Sequence, residues 1–318
     1  MKSFVLDSDT IESLVNAREI VESIERGFIE FGSGSVVNPT RLSFALEGDW
    51  WGVMPAYHRE AGFCVKTVCV IPGNSHRNLA TTRGVVLAFS GSDGSLRAVM
   101  DGTKFTAIRT AAVTAAAIKH IDEPKKIFFV GTGLQARNHA KLFSQIFDLK
   151  HVNASSRSKK STQSFLAYCK EIGLNVDTQM EASEADTVIT ATSSNSPVIQ
   201  DFAGENKVIA SIGAPVPTSR EVGDNVIKDS DVVVVDSISG CLTEAGDLIQ
   251  TLKTGVLSME KVVELSLVLT KKMSLQGKRV FFKTVGAAFQ DLFAADYLIR
   301  KATEHHLENT IELEKQVV

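Results

Sequence analysis

The sequence predicts an α/β protein of two domains: a parallel sheet with helices on both faces, and a smaller α+β domain. Strands and helical stretches alternate from Lys125 onward, which is typical of a parallel sheet. Before that point, strand-like segments separated by turn residues indicate a meandering sheet. The length of 318 residues, with 44% apolar residues, is enough for two cores of ordinary size.

Composition and charge exclude several classes of function. A formal net charge of −3 gives no electrostatic reason to expect nucleic acid or an anionic membrane as a partner. No apolar run approaches the length of a membrane span, and the N-terminal MKSFVLDSDT lacks the basic and apolar regions of a signal peptide. We therefore expect a cytoplasmic protein with neither membrane nor nucleic-acid partners.

The cysteines and histidines form no ligand pattern. The four cysteines are scattered, without a C-x-x-C pair or matching histidine spacing: Cys64, Cys69, Cys169 and Cys241. We interpret them as small core residues, and we predict neither a metal nor a disulfide.

The first 120 residues predict helix, meander and helix in that order. A helix from Ala17 to Phe31 carries its apolar side chains on one face. Strand-like segments follow at 41–46, 51–54, 62–71, 84–90 and 96–101. The Gly91-Ser-Asp-Gly94 cluster predicts a hairpin loop between the last two.

An alanine-rich helix, predicted from Thr106 to His120, ends this half of the chain. Arg109 lies one turn into it. An arginine among so many small residues faces either solvent or an anion, and the sequence leaves both readings open.

The stretch from Lys125 to Arg157 has the order of a nucleotide-binding unit. An apolar strand, 127–130, leads into Gly131-x-Gly133-x-x-Ala136, then a helix and a second strand, 152–155. In such a unit the first glycine makes the turn, the second admits a pyrophosphate, and the alanine keeps the helix close to the strand. The alternative is a turn without a ligand, but both flanks fit, so we predict a Rossmann dinucleotide-binding domain. We expect four side chains of the helix to pack on the sheet: Leu134, Ala140, Phe143 and Phe147.

The tip of the second strand indicates which dinucleotide binds. NAD sites usually carry an Asp or Glu there for the ribose hydroxyls, whereas this chain has Ser155, Ser156, Arg157 and Lys159. This segment contains no carboxylate that would repel a 2′-phosphate, and Arg157 can donate two hydrogen bonds to such a phosphate. The alternative for both cations is a solvated loop. We predict NADPH, with NADH used more weakly.

Further strands are predicted at 175–178, 186–192, 207–212, 232–236 and 279–283. Segments 193–196 and 213–220 follow the carboxyl ends of two of them, where ligands bind in open α/β sheets. After the last strand we predict a long helix with Phe289, Leu292, Phe293 and Leu298 on its apolar side, and then a polar tail.

Several segments together resemble the ornithine cyclodeaminase and mu-crystallin family. They are MPA at 54–56, VKTV at 65–68, ATTRG at 80–84, MDGTKFTAIRTAAVTA at 100–115, GTGLQARNH at 131–139, EAGDL at 244–248 and FKTVGAAFQDLFAA at 282–295. The D-G-x-x-x-T-x-x-R-T-A-A block is highly specific. The resemblance implies a homodimer, with residues 1–120 and 296–318 as the substrate-binding and dimerisation domain and 121–295 as the Rossmann NADP-binding domain.

The resemblance also implies roles for single residues. Arg41, Lys66 and Arg109 would hold a substrate α-carboxylate, with Lys66 and Arg109 as catalytic residues and Lys66 as a proton source for an imine nitrogen. Val285 would line the substrate side. The alternative for Arg41 and Lys66 is a surface salt bridge. Besides Gly131, Gly133 and the 155–159 segment, the implied cofactor positions are Thr81, Arg109, Leu134, Gln135, Ser156, Thr192, Ile212, Gly213, Ala214, Ser219 and Thr284.

The chain departs from the family at one loop. Cyclodeaminases carry an Asp two residues after the glycine equivalent to Gly213, but this chain has Pro215 there, and Ser219 in place of a lysine. Proline cannot move protons at an amine, so release of ammonia is disfavoured unless another carboxylate, such as Asp49 or Asp291, takes that place.

Family members with such a loop resemble Δ1-pyrroline-2-carboxylate reductases, which form L-proline. We therefore expect NADPH-dependent reduction of a small cyclic ketimine carboxylate, with the six-membered homologue as a further candidate, completing 3-hydroxyproline degradation. The alternatives are an ornithine cyclodeaminase or amino acid dehydrogenase, and a mu-crystallin-like protein that binds NADPH and a small ligand.

Overall fold

A computed structural model describes residues 2–77, 79–213, 215–271 and 273–313. The chain forms two compact units, one from Met1–Arg109 with Ala287–Val318 and the other from Thr110–Gly286. The expected domain boundaries lay at 120/121 and 295/296, and the assignment of each domain to a function stays a prediction. Ala214, an expected cofactor position, lies outside the described residues.

The first unit is built on a mixed sheet. Its strands are β1 (Lys2–Leu6), β2 (Leu42–Leu46), β3 (Asp49–His58), β4 (Gly62–Val70), β5 (Thr82–Phe89), β6 (Leu96–Asp101) and, after all the strands of the second unit, β14 (Thr310–Glu312). In the described residues their order is β14-β1-β6-β5-β4-β3-β2. Strands β2 to β6 form the predicted antiparallel meander, and the loop 90–95 is the predicted hairpin between β5 and β6. Only the β1–β6 pair in this described sheet is parallel.

Helices α1 (Ser8–Leu14), α2 (Ala17–Gly32) and α10 (Ala288–Glu304) belong to this unit. Helix α10 packs against β3, β4 and α2. Gly27 allows the close approach of α2, because a Cβ there would lie 3.0 Å from the Phe293 ring. The Phe31 and Phe289 rings stack with centroids 4.4 Å apart. The position of α10 over β4 matters because both elements carry residues of the candidate site.

Helix α3 (Gly102–Ile121) follows β6 directly and begins four residues earlier than predicted. The Lys104 N–H donates to Asp101 Oδ1 at 2.7 Å, which satisfies a free donor of the first turn. A Cβ at Gly102 would lie 2.4 Å from the Gly84 carbonyl carbon, so only glycine fits this junction. The helix presents Arg109 from its third turn.

The second unit is a parallel sheet. Its strands are β7 (Lys126–Val130), β8 (His151–Ser155), β9 (Thr187–Thr190), β10 (Val208–Ser211), β11 (Val232–Val235), β12 (Val262–Glu264) and β13 (Val280–Lys283). Across the described residues they run β12-β11-β13-β10-β9-β7-β8, with every neighbouring pair parallel. Strand β7 has β8 on one side and β9 on the other, so the strand order reverses at β7. In open α/β sheets, ligands bind at the carboxyl ends of the strands beside such a reversal.

The helices of this unit are α4 (Leu134–Ile146), α5 (Lys159–Glu171), α6 (Asp224–Asp229), α7 (Ile238–Glu244), α8 (Gly246–Lys253) and α9 (Leu265–Thr270). Strands β9, β10, β11 and β13 are buried along their whole length, as expected for a parallel sheet covered on both faces. The predicted fold class, a Rossmann domain plus an α+β domain, is confirmed.

Two details of the sequence prediction are wrong. Segment 175–178 is not a strand: it makes one isolated bridge, Val152 to Val176, before Asp177 starts a turn by accepting from the Gln179 N–H. Leu134 does not pack on the sheet but is 43% exposed, because it is the first residue of α4. Within the tail that follows α10, strand β14 pairs with β1, a strand for which the sequence analysis made no prediction.

The four cysteines are buried and free, which confirms their interpretation as core residues. In the described part of the chain, none of the helices combines the length and apolar character needed to cross a membrane.

Candidate functional site

The turn between β7 and α4 has the geometry of a phosphate cradle. Gly131 has φ +99°, in the left-handed region, and a Cβ there would lie 2.3 Å from the Ala191 carbonyl oxygen. A Cβ on Gly133 would meet no described atom within 4 Å, so open space lies above it. Ala136 is fully buried against the sheet. Among the described residues no side chain caps α4, so its first N–H groups are available to an anion.

Gln135, in the first turn of α4, has a buried amide oxygen, and within the described ranges nothing donates a hydrogen bond to it. Leaving such an atom unsatisfied costs about 1–3 kcal/mol. A ligand donor would remove that cost. Together with the space over Gly133, this atom shows that the turn fits a dinucleotide.

The tip of β8 carries the residues expected to select the cofactor. The Ser155 carbonyl oxygen accepts from the Gly131 N–H at 2.9 Å, which joins the tip to the glycine turn. Ser156 Oγ donates to the Ser158 carbonyl oxygen at 3.1 Å. Arg157 and Lys159 are exposed, at the N-terminus of α5. Two cations and a helix N-terminus thus meet at this tip, with no acidic residue from 155 to 160.

Glu221 connects the ends of β9 and β10, a feature that the sequence did not reveal. Its fully buried carboxylate accepts at Oε1 from the Thr192 N–H and Oγ1, at 2.6 and 2.7 Å. Its Oε2 accepts from Thr190 Oγ1, Ser211 Oγ and the Gly213 N–H, at 2.8, 2.9 and 2.8 Å. The expected cofactor positions Thr192 and Gly213 are therefore held by one carboxylate.

A buried ion pair supports the same strand ends. Lys283 Nζ lies 3.1 Å from Asp247 Oδ2 and donates to Ser211 Oγ at 2.9 Å and to the Gly213 carbonyl oxygen at 2.8 Å. Asp247 Oδ1 accepts from the Glu221 N–H at 2.8 Å. A Cβ on Gly213 would lie 2.2 Å from the Thr192 carbonyl oxygen, so glycine is required there. Asp247 and Lys283 lie in the EAGDL and FKTVG segments, whereas Glu221 follows a loop without any such signal.

The remaining expected positions are more dispersed. Thr284 Oγ1 donates to Asp236 Oδ2 at 2.6 Å, so its hydroxyl group is already bound. Ser219 Oγ donates to Asn195 Oδ1 at 2.8 Å, in the loop that contains Pro215. Thr81 is exposed and precedes β5 in the first unit. Thr284 and Ser219 are buried, and so are Ile212 and Val285. Contacts of these residues with a ligand stay predictions.

The first unit contains a buried cluster of charges. Lys66 on β4, Arg109 on α3 and Asp291 on α10 are 1%, 5% and 0% exposed. Lys66 Nζ lies 3.0 and 2.8 Å from Asp291 Oδ1 and Oδ2, and Arg109 Nε lies 2.8 Å from Oδ1. Arg109 also donates to Gln290 Oε1 at 3.0 Å. The solvent-facing alternative for Arg109 and the surface alternative for Lys66 are therefore wrong.

This environment makes Lys66 an unusual lysine. Burial, and then the charge of Arg109, lower the pKa of Lys66 from 10.5 to about 7, and the charge of Arg41 acts in the same direction. Asp291 opposes them and raises this pKa. Arg41 is half-buried, with its guanidinium carbon 5.8 Å from the centroid of the Trp50 ring. A lysine with such a pKa can donate or accept a proton near neutral pH.

The structure brings Lys66 and Arg109 together in the first unit, with Arg41 near enough to act on Lys66. In the second unit it brings together Gly131, Gly133, Gln135 and the tip of β8. Within the described ranges, no group of three or more His, Cys, Asp or Glu residues is arranged to hold a metal ion.

Known proteins are similar to this chain along nearly its whole length. Δ1-pyrroline-2-carboxylate reductase 1 of Burkholderia multivorans is 31% identical over 296 residues, covering 91% of this chain and 93% of that protein. The Δ1-pyrroline-2-carboxylate/Δ1-piperideine-2-carboxylate reductase of Azospirillum brasilense is 32% identical over 298 residues, 91% of this chain and 93% of its own.

A solved structure has the same fold. The Δ1-pyrroline-2-carboxylate reductase of Thermococcus litoralis, in complex with NADH and L-proline, superposes with a TM-score of 0.89 at 27% identity, covering 95% of this chain and 98% of that one. The model of the ornithine cyclodeaminase/mu-crystallin family matches residues 1–306. This chain belongs to the ornithine cyclodeaminase/mu-crystallin family.

Proposed function

We propose that this protein is an NADPH-dependent reductase that converts Δ1-pyrroline-2-carboxylate to L-proline. The buried cluster of Lys66, Arg109 and Asp291 carries the proposal, because it combines cations for a carboxylate with a lysine that titrates near neutral pH. Similarity to reductases of this imine, one of them bound to NADH and L-proline, supports the choice of substrate.

The substrate carboxylate is held by cations of the first unit. Arg41, Lys66 and Arg109 carry positive charge, and Asp291 is a carboxylate in contact with two of them. The excess of positive charge in a buried setting favours an anionic ligand. Guanidinium groups donate paired hydrogen bonds to a carboxylate and so fix the orientation of the ring.

Reduction of the imine needs a hydride and a proton. A bound nicotinamide dinucleotide supplies the hydride. The Lys66 ammonium donates a proton to the ring nitrogen while the C=N π bond opens and C2 accepts the hydride. Arg41 and Arg109 hold the carboxylate on C2 throughout, which limits the ring to one orientation. The secondary amine then takes a second proton from solvent.

The residues at the tip of β8 support NADPH as the cofactor. The exposed Arg157 and Lys159 and the hydroxyl of Ser156 lie where NAD enzymes place a carboxylate. The two cations match the charge and the acceptor oxygens of a 2′-phosphate, whereas the Ser156 hydroxyl already donates to the Ser158 carbonyl oxygen. NADH lacks that phosphate, so we infer weaker use of NADH.

Pro215 argues against ammonia chemistry, and Asp291, a carboxylate that could have taken its place, is already paired with Lys66 and Arg109. Reduction of the preformed imine needs only a hydride, a proton and the carboxylate clamp, by which we mean Arg41, Lys66 and Arg109. Deamination of ornithine adds proton transfers at nitrogen that a proline cannot perform. The Azospirillum relative is named for both ring sizes, so we infer that the six-membered imine is a slower second substrate. Because dehydration of 3-hydroxyproline yields the five-membered imine, we infer that the reaction completes breakdown of that amino acid.

An exposed apolar face supports the expected homodimer. Strand β2 is exposed along its whole length, and its Leu42, Phe44 and Leu46 are 71%, 61% and 68% exposed. Trp51 on β3 adds to the same sheet at 46% exposure. Apolar surface of this extent marks a protein contact. Light scattering should give twice the mass of the chain.

NADPH absorbance tests the proposal. The purified protein is supplied with NADPH and with the five-membered imine, the six-membered imine, or pyruvate plus ammonia. We expect consumption fastest with the five-membered imine, yielding L-proline. Faster consumption with pyruvate and ammonia would favour an amino acid dehydrogenase. NADPH binding without turnover of any substrate would favour a binding protein.

A further inference from the structure

Asp291 belongs to the buried charge cluster, but the proposed steps of the reaction give it no role. It lies in the first turn of α10 and is fully buried. Its carboxylate reaches two different elements, with oxygens 2.8 and 3.0 Å from Lys66 Nζ on β4 and 2.8 Å from Arg109 Nε on α3. A single carboxylate therefore contacts two of the three cations assigned to the substrate.

The backbone that carries Asp291 is itself fixed. The Phe289 N–H in the first turn of α10 donates to Asn38 Oδ1 at 2.9 Å. Gln290, next to Asp291, accepts from Arg109 at 3.0 Å and is also fully buried. The first turn of α10 is thus held by hydrogen bonds to Asn38 and to Arg109.

We propose that Asp291 is the positioning residue of the carboxylate clamp: it orients Lys66 Nζ and the Arg109 guanidinium, and its charge retains on Lys66 the proton that the imine nitrogen receives. This inference rests on the proposed function. It assigns Asp291 a role through its two neighbours, without contact with the reacting atoms.

The charges around Lys66 make the second part of that role necessary. Arg109 from α3 and Arg41 from the segment before β2 both oppose a proton on Lys66, as does burial. The thiol of Cys64, on the same strand, stays neutral because burial raises its pKa far above the usual range. The residues paired with Lys66 on β3 and β5 are the apolar Met54 and Val86.

Asp291 is thus the carboxylate that favours the ammonium form of Lys66. Without its charge, burial and two guanidinium groups would leave Lys66 largely neutral at pH 7. The proton needed by the imine would then be missing in most molecules, even if the fold were unchanged.

The experiment compares Asp291→Asn with Asp296→Asn, a carboxylate of the same helix that pairs with Arg97 and Arg300 at 3.3 Å. In the wild type, kcat/KM for the imine should fall as pH rises through the pKa of Lys66. For Asp291→Asn we expect this fall to begin at least about one pH unit lower, and the rate at neutral pH to drop about tenfold or more. Asp296→Asn should match the wild type. Loss of stability alone would lower the rate without moving the profile.

A second readout does not depend on turnover. Pyrrole-2-carboxylate is a planar five-membered ring carboxylate without a C=N bond to reduce, and calorimetry measures its binding across the same pH range. Binding should weaken as Lys66 loses its proton, and at lower pH for Asp291→Asn. If the wild type binds this ligand with that pH dependence but reduces no imine, the proposed function fails while the role of Asp291 stands.

Identical pH profiles for Asp291→Asn and the wild type, in rate and in binding, would overturn the inference. If Asp291→Asn does not fold, Asp291→Glu carries the test. Its carboxylate keeps the charge but displaces Lys66 Nζ and the guanidinium, so KM for the imine should rise about fivefold or more while the pH profile stays in place. An unchanged KM would show that Asp291 positions neither group.

Discussion

The Glu221 carboxylate accepts a hydrogen bond from the Gly213 N–H at 2.8 Å. The same carboxylate holds the Thr192 backbone and hydroxyl, so one side chain sets the spacing between the ends of β9 and β10. In a parallel sheet these ends face the ligand. Glu221 therefore holds two of the expected cofactor positions, Thr192 and Gly213, in place.

Replacing Glu221 with Gln should weaken both the fold and the cofactor site. An amide has one acceptor oxygen, and its NH₂ group would face donors that now bind the second carboxylate oxygen. We expect unfolding free energy to fall by about 2–4 kcal/mol, with weaker NADPH binding in fluorescence titration. Glu205→Gln, which alters an exposed pair with Lys126, is the matched control. Equal stability and NADPH affinity for both variants would contradict this role.

The sequence predicts local features of the fold well. Strand β6 spans 96–101 as expected, and Gly131 and Gly133 lie in the predicted turn. Such features can be predicted because a turn and the periodicity on either side of it depend on a few neighbouring residues. The Lys66–Asp291 contact joins residues 225 positions apart, and it depends on how α10 lies over β4. The role of Glu221 was not predicted for a similar reason. Its partners lie at the ends of two strands, and no motif in the segment around Glu221 indicates those contacts.

Arg157→Ala should erode the preference for NADPH over NADH. Loss of a charge-assisted hydrogen bond to the 2′-phosphate would lower kcat/KM for NADPH, by an amount equivalent to about 1–3 kcal/mol of transition-state stabilisation. The kcat/KM for NADH would stay nearly unchanged. Steady-state kinetics with both cofactors measures the ratio. Lys170→Ala, at the other end of α5, serves as the control. Equal use of NADPH and NADH by the wild type would contradict the cofactor assignment.

Arg41→Ala and Arg109→Ala should each raise KM for the imine and change NADPH affinity less. The effect should be larger for Arg109→Ala, with a loss in kcat/KM equivalent to about 2–5 kcal/mol of transition-state stabilisation. The reason is that truncation of Arg109 also leaves the buried Asp291 carboxylate with fewer partners. Kinetics at saturating NADPH, with the exposed Arg59→Ala as control, provides the comparison. A variant with near-normal kcat/KM would remove that arginine from the substrate site.

The buried Lys66 should leave a signature in stability against pH. Its pKa in the folded chain is about 7, below the ordinary value of 10.5, so between these values the unfolded chain binds a proton that the folded chain lacks. The free energy of unfolding of the wild type minus that of Lys66→Met should thus be independent of pH below pH 7. Above pH 7 this difference should rise by up to about 1.4 kcal/mol per pH unit. Urea unfolding across this range measures the difference. Lys207→Met, at an exposed lysine, is the control substitution, and a flat difference for Lys66→Met would contradict the lowered pKa of Lys66.

Isotope transfer tests most directly the claim that this protein reduces a preformed imine. NADPH carrying deuterium at both C4 positions is mixed with Δ1-pyrroline-2-carboxylate and the enzyme, and the product is examined by mass spectrometry. We predict L-proline with one deuterium, at C2, formed at the rate at which NADPH is consumed, and no proline when ornithine replaces the imine. Proline without deuterium, or proline formed from ornithine with an equal release of ammonia, would contradict the account.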